Sequence, residues 1–100
     1  MATLTVVYWL DIPAEVIVKE GRRSSRRQLE GRFQEAIDRT AMRTNAHDAD
    51  SYLAAWRRGD PEPCGDNLEA EADDARARLE AAYDDARLQA LVAAGGREAP

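Results

Sequence analysis

Six consecutive residues, Arg22-Arg23-Ser24-Ser25-Arg26-Arg27, carry the densest chemical potential in this chain. Four guanidinium groups and two hydroxyls can gather around a phosphate or a carboxylate, each Arg offering a planar fork of donors. Ser25 and Gln28 stand in Ser-x-x-Gln capping register, which predicts that a helix begins within the block. A helix N-terminus adds free backbone N–H groups and partial positive charge, so four cations there call for an anion among them. Arg22, Arg23, Ser24, Ser25, Arg26 and Arg27 are therefore the candidate anion- or partner-binding residues. The bland alternative is a solvated basic turn, partly neutralised by acidic residues elsewhere in the chain.

Cys64 is a second candidate, a possible reactive thiol in Pro61-Glu62-Pro63-Cys64-Gly65-Asp66, just before a predicted helix. A helix start favours thiolate, but Asp60, Glu62 and Asp66 push the other way, and there is no Cys-x-x-Cys pair. His47 with Asp48, Asp50 and Cys64 matches no compact metal-ligand spacing, so no metal is expected. Neither a phosphate-binding Gly loop, nor a dinucleotide fingerprint, nor a zinc-protease or nucleophile-elbow motif is present. The residues thus indicate no catalytic group and no cofactor. Tyr8, Trp9 and Trp56 are interface candidates, with core packing as the default for each. Clustered Arg is also the footprint of nucleic-acid binding. Here a pI of about 4.8 and the lack of aromatics among the Arg residues weigh against it.

The elements that must position these groups read as α+β. Thr3 to Leu10 alternates as a strand, with Leu4, Val6, Tyr8 and Leu10 on one face and Thr3, Thr5, Val7 and Trp9 on the other. Ala14 to Lys19 sets Val16 and Val18 against Glu15, Ile17 and Lys19, and Asp11-Ile12-Pro13 connects the two runs into an antiparallel hairpin. Two strands alone are marginal in water, so helices must cover one face, and an open edge invites a partner. Apolar residues at helical spacing place one helix at about 26–43, and either Asp48 or Asp50 caps a short helix through Arg57. Residues 59–65, with two Pro and two Gly, read as a loop. Asp66 then caps a long, acidic, Ala-rich helix from about Asn67 to Ala93, which Gly95-Gly96 stops. One domain over 1–94 and a flexible tail over 95–100 follow.

Composition bounds the rest. Only 17 of the 100 residues are Leu, Ile, Val or Phe, against 19 Ala, so the core is thin and burial by a second chain is expected. Residues 21–43 hold seven Arg against three acids, whereas residues 64–100 hold nine acids against four Arg. No apolar run is long enough to span a bilayer, and no secretion signal is read at the N-terminus. With a single cysteine, the expected compartment is the reducing cytoplasm.

Thr3-Leu4-Thr5-Val6-Val7-Tyr8-Trp9, Asp11-Ile12-Pro13-Ala14, Val16-Ile17-Val18, Gly21-Arg22-Arg23, Gly31 to Asp38 and Tyr52-Leu53-Ala54-Ala55-Trp56 together resemble a small bacterial "virulence factor" family. The family is named for similarity to the C-terminal part of conserved virulence factor C. The resemblance covers residues 3–65 and continues through Asp66. It brings no catalytic motif, and Leu10 stands where relatives are expected to carry Arg after Tyr-Trp. It implies an association with tetrahydrofolate-linked one-carbon enzymes of the methylenetetrahydrofolate-reductase type in alphaproteobacteria. The expected function is a non-catalytic accessory subunit or protein-interaction module, with a larger enzyme subunit or a second copy as partner. An anion- or phosphate-ligand binding protein using Arg22 to Arg27 is the alternative, and a small Cys64-dependent enzyme the third.

Overall fold

A computed structural model describes residues 1–44 and 48–98. The alternation of Thr with larger apolar residues forms the expected strand, β1 (Ala2–Trp9), and β2 follows over Ile12–Glu20. Their antiparallel register sets Leu4 opposite Val18 and Val6 opposite Val16, so these four side chains share one face. The connection is tighter than expected. Leu10 and Asp11 alone make it, with Leu10 at φ 54°, a left-handed backbone that costs a non-Gly residue energy. Ile12 and Pro13 lie inside β2, where Tyr8 pairs with Pro13 and Val7 with Glu15, leaving Ala14 as a bulge. Such a bulge tolerates a Pro that cannot donate to the ladder.

The basic block does not open a helix. Glu20 pairs with Arg23 across a two-residue turn in which Gly21 has φ 58°, the glycine position of a type II′ hairpin turn. Arg23–Gln28 is therefore a third strand, β3, paired along β2 from Glu15 to Glu20. A capping signature is a local preference, and a continuous ladder overrides it. The helix begins later, as α1 (Gly31–Arg43). Asp48 rather than Asp50 caps the short α2 (Ala49–Ala54), its side chain accepting from the Ser51 N–H at 2.9 Å. The chain then returns to the sheet as β4 (Trp56–Arg58) and β5 (Glu62–Cys64), where helix and loop had been expected. Both run antiparallel to β1, Trp56 opposite Trp9 and Cys64 opposite Ala2, so they form one interrupted edge strand. The strand order is β3-β2-β1-β4, with β5 also against β1.

The long C-terminal helix is two helices, α3 (Leu68–Ala82) and α4 (Asp85–Ala93). Asn67, not Asp66, caps α3, and Asp84 caps α4 by accepting from the Arg87 N–H at 2.9 Å. Arg32 at the start of α1 donates to the carbonyls of Glu80 and Tyr83, the groups that a helix end leaves free. The break there leaves Ala82 and Ala86 exposed instead of in a continuous buried stripe.

Burial follows two clusters. Leu68, Ala72 and Ala75 of α3 cover Leu4, Val16 and Val18 on one sheet face. Phe33, Ile37, Leu88 and Leu91 from α1 and α4 enclose Trp9 and Ile12 at the end of the sheet where β1 turns into β2. The C-terminal segment expected as a tail is fastened as far as Glu98. The Asp11 N–H donates to the Gly96 carbonyl at 2.8 Å, the Glu98 N–H donates to the Asp11 carboxylate at 2.7 Å, and Arg87 pairs with Glu98. The architecture is α+β, an antiparallel sheet with four helices among the described residues.

Candidate functional site

Because β3 is a strand, its side chains alternate and the basic block does not converge. The register places Arg23, Ser25 and Arg27 on the α3 face and Ser24 and Arg26 on the opposite one, while Arg22 sits in the turn. Arg27 is paired with Asp73 of α3 at 2.7 Å, Arg23 with Glu20 at 3.0 Å and Arg26 with Glu15 at 3.6 Å. Beside Arg23, Ser24 and Ser25 lies a small hollow, but Asp66 and Glu69 line it too. The helix-start anion site expected from the sequence is thus absent from its intended place. The acidic helix takes up part of the charge, as the bland alternative required.

Trp9 is not an interface residue of the folded chain. It is fully buried, and its Nε1 donates to the Tyr52 carbonyl at 3.0 Å. Tyr8 is half-buried beneath the Arg57 guanidinium, 4.4 Å from its ring centroid, and Arg57 also binds the Leu10 carbonyl and Asp11. Trp56 is half-buried and packs edge-on to Tyr52 at 6.0 Å. Of the three aromatic candidates, Trp56 alone lines a groove on the sheet.

Cys64 pairs with Ala2 on β5 and packs against the apolar cluster under α3. Burial pushes its thiol pKa up, and the nearby carboxylates of Glu71, Asp66 and Glu20 push it further. A thiol held protonated is a weak nucleophile. His47, named as an imagined metal ligand, lies outside the described residues. Among the described residues, no three His, Cys, Asp or Glu side chains gather in a metal-binding group. No helix among them is long and apolar enough to cross a membrane.

The sheet face opposite α3 is different in kind. Thr3, Thr5, Val7 and Glu15 remain half-exposed on it, and Lys19, Ser24, Arg26, Gln28 and Arg58 are exposed; Ile17 is buried, as are Trp9 and Ile12 at the end that α1 and α4 cover. Where this face meets the start of α1 there is a groove of about 700 Å³. Val7, Ala14, Leu29, Phe33 and Trp56 supply its apolar lining, Gln28 and Gln34 its amides, Gly31 an open wall, and Glu15, paired with Arg26, its one charged group. A groove of about 780 Å³ between α1 and α4, next to the exposed Met42, is lined by three Arg and three acidic residues and so carries no net sign. Sequence reading did not mark Leu29, Gly31, Phe33 or Arg58 as site residues. The alternation of the second strand already grouped Glu15, Ile17 and Lys19, but Arg58 fell between a helix read as ending at Arg57 and a loop read from residue 59.

These features define a small α+β protein whose antiparallel sheet is roofed by α3 on one face and left open on the other except at the Trp9–Ile12 end, with a groove where the open part meets α1. Residues 7–92 match the family described as Virulence factor, and the chain belongs to that family. The match extends beyond the N-terminal resemblance and takes in α3 and most of α4. No curated protein and no solved structure matches the chain.

Proposed function

We propose that this chain is a non-catalytic accessory subunit, a module that works by docking onto another protein. The observation that carries the reading is the groove of about 700 Å³ on the open sheet face, where Trp56, Val7 and Ala14 present apolar surface over the buried Phe33 and Leu29, between the amides of Gln28 and Gln34. A concave apolar floor with a few polar groups at its rim is the usual anatomy of a recognition site. The chain's reactive-type groups support the same reading because they serve the fold: Asp11 ties the C-terminal segment, Arg32 ends α3, and Cys64 is held as a thiol. Family resemblance supports the narrower version, a companion of tetrahydrofolate-linked one-carbon enzymes of the methylenetetrahydrofolate-reductase type, and the single cysteine supports a cytoplasmic setting for it.

The test uses a groove-filling variant. A Cβ added at Gly31 meets nothing within 4 Å, so Gly31→Phe places a ring in the groove without disturbing the backbone. Affinity purification of the tagged chain at native expression is expected to recover a larger protein in stoichiometric yield, and Gly31→Phe is expected to lose it while melting no lower than the parent. A monomer that brings down no partner contradicts the proposal.

A further inference from the structure

We infer that the occupant of the open sheet face is an acidic segment of the partner protein, anchored by an apolar side chain in the groove; this rests on the module reading above. The charge of the face carries the inference. The whole chain is net −5, yet the strand residues of this face set Lys19, Arg26 and Arg58 against Glu15 as the single carboxylate. Glu15 is already held by Arg26 at 3.6 Å. Lys19 and Arg58 have no ion-pair partner among the described residues, as is also true of Arg22, Arg39, Arg43, Arg78 and Arg97, so it is their place on this one face rather than their lack of a partner that counts. Arg58 stands directly opposite Val7, and Val7 lines the groove, so an unpaired cation borders the apolar floor. Complementary potential steers a partner of opposite sign to such a face and fixes its register.

Other occupants fit less well. A single-stranded nucleic acid needs aromatic platforms across the sheet, and here the central side chains are Thr5, Val7 and Ile17 with Trp56 only at the margin. A second copy would have to present its acidic α3 to this face. That contact is head-to-tail, with no closure into a symmetric dimer.

The test is selection from a phage-displayed random peptide library on the immobilised full chain. The expected winners carry an excess of Asp and Glu with at least one aromatic or aliphatic residue. A synthesised winner is expected to bind about tenfold more weakly to a Lys19→Glu/Arg58→Glu double variant and to weaken steeply with added salt. Both side chains are exposed and unpaired, so the double variant is expected to keep the parent's circular dichroism and melting temperature. Winners without acidic excess, an absence of winners, or equal binding to the double variant overturn the inference. So does a polyuridine oligonucleotide, or a second copy seen by light scattering, whose binding the same variant abolishes. If winners map instead to the α1–α4 groove and are lost in Met42→Glu, the acidic-face inference fails together with the open-face docking site, and only the broader reading of a docking module is left. Failure of the module reading itself is seen separately, as a native purification that recovers no partner.

Discussion

Asp11 holds together three stretches that are distant in the chain. Its carboxylate accepts from the Glu98 N–H at 2.7 Å and from Arg57 at 3.0 Å, and its own N–H binds the Gly96 carbonyl. The Glu98 hydrogen bond, with Arg57 behind it, outweighs desolvation and holds the carboxyl pKa below its ordinary value. A depressed folded-state pKa contributes stability above the unfolded value of about 3.9, and that contribution is lost as pH falls through it towards the folded value. Asp11→Asn is therefore expected to cost about 1 kcal/mol at neutral pH, with the deficit shrinking in thermal melts taken below about pH 4. Cys64 is shifted in the opposite direction, so less of it is thiolate at a given pH. Its alkylation by iodoacetamide at neutral pH is expected to be slower than that of glutathione, and an equal or faster rate would revive a thiol chemistry. Gly96 has φ 86°, and a Cβ there would lie 2.7 Å from Leu10 Cδ1. Gly96→Ala is accordingly expected to destabilise by more than about 1 kcal/mol in chemical denaturation.

Elements are decided by competition between local signals and long-range pairing. The hairpin was legible because Thr3 to Trp9 and Val16 to Val18 satisfy strand propensity, alternation and mutual register together. Arg23–Gln28 was not legible: its capping pattern is local, whereas its strand is created by pairing with β2 and by the turn at Gly21. Trp56–Arg58 and Glu62–Cys64 were hidden for the same reason, as edge segments that exist only through β1. The split between α3 and α4 left one readable mark, Asp84, which can cap a helix at any solvent-facing break. Its other determinant, Arg32 on the Glu80 and Tyr83 carbonyls, comes from a distant helix and cannot be read locally. Asp84→Ala is expected to lower stability by about 1 kcal/mol, with hydrogen-exchange protection lost first in α4. Protection lost uniformly would show that the cap is not what defines α4.

At the scale of the molecule, the thin core is divided. Alanine-lined α3 roofs one sheet face through Leu68, Ala72 and Ala75, while Trp9, Phe33, Ile37 and Leu91 form the better-filled cluster at the sheet's end. The proposed docking assigns to the open face the burial that composition called for from a second chain. There the groove around Trp56 and the exposed Lys19 and Arg58, which have no ion-pair partner among the described residues, occur together on a protein of net charge −5. The candidate site was half legible: Trp56, Arg26 and the Ile17–Lys19 face were visible in the sequence, and the strand that completes them was not. Calorimetric titration of the recovered partner against the parent chain, Gly31→Phe and Met42→Glu tests the docking claim most directly. The account predicts that Gly31→Phe weakens binding by about tenfold or more while Met42→Glu binds like the parent. Unaltered binding by Gly31→Phe, or loss confined to Met42→Glu, would contradict it.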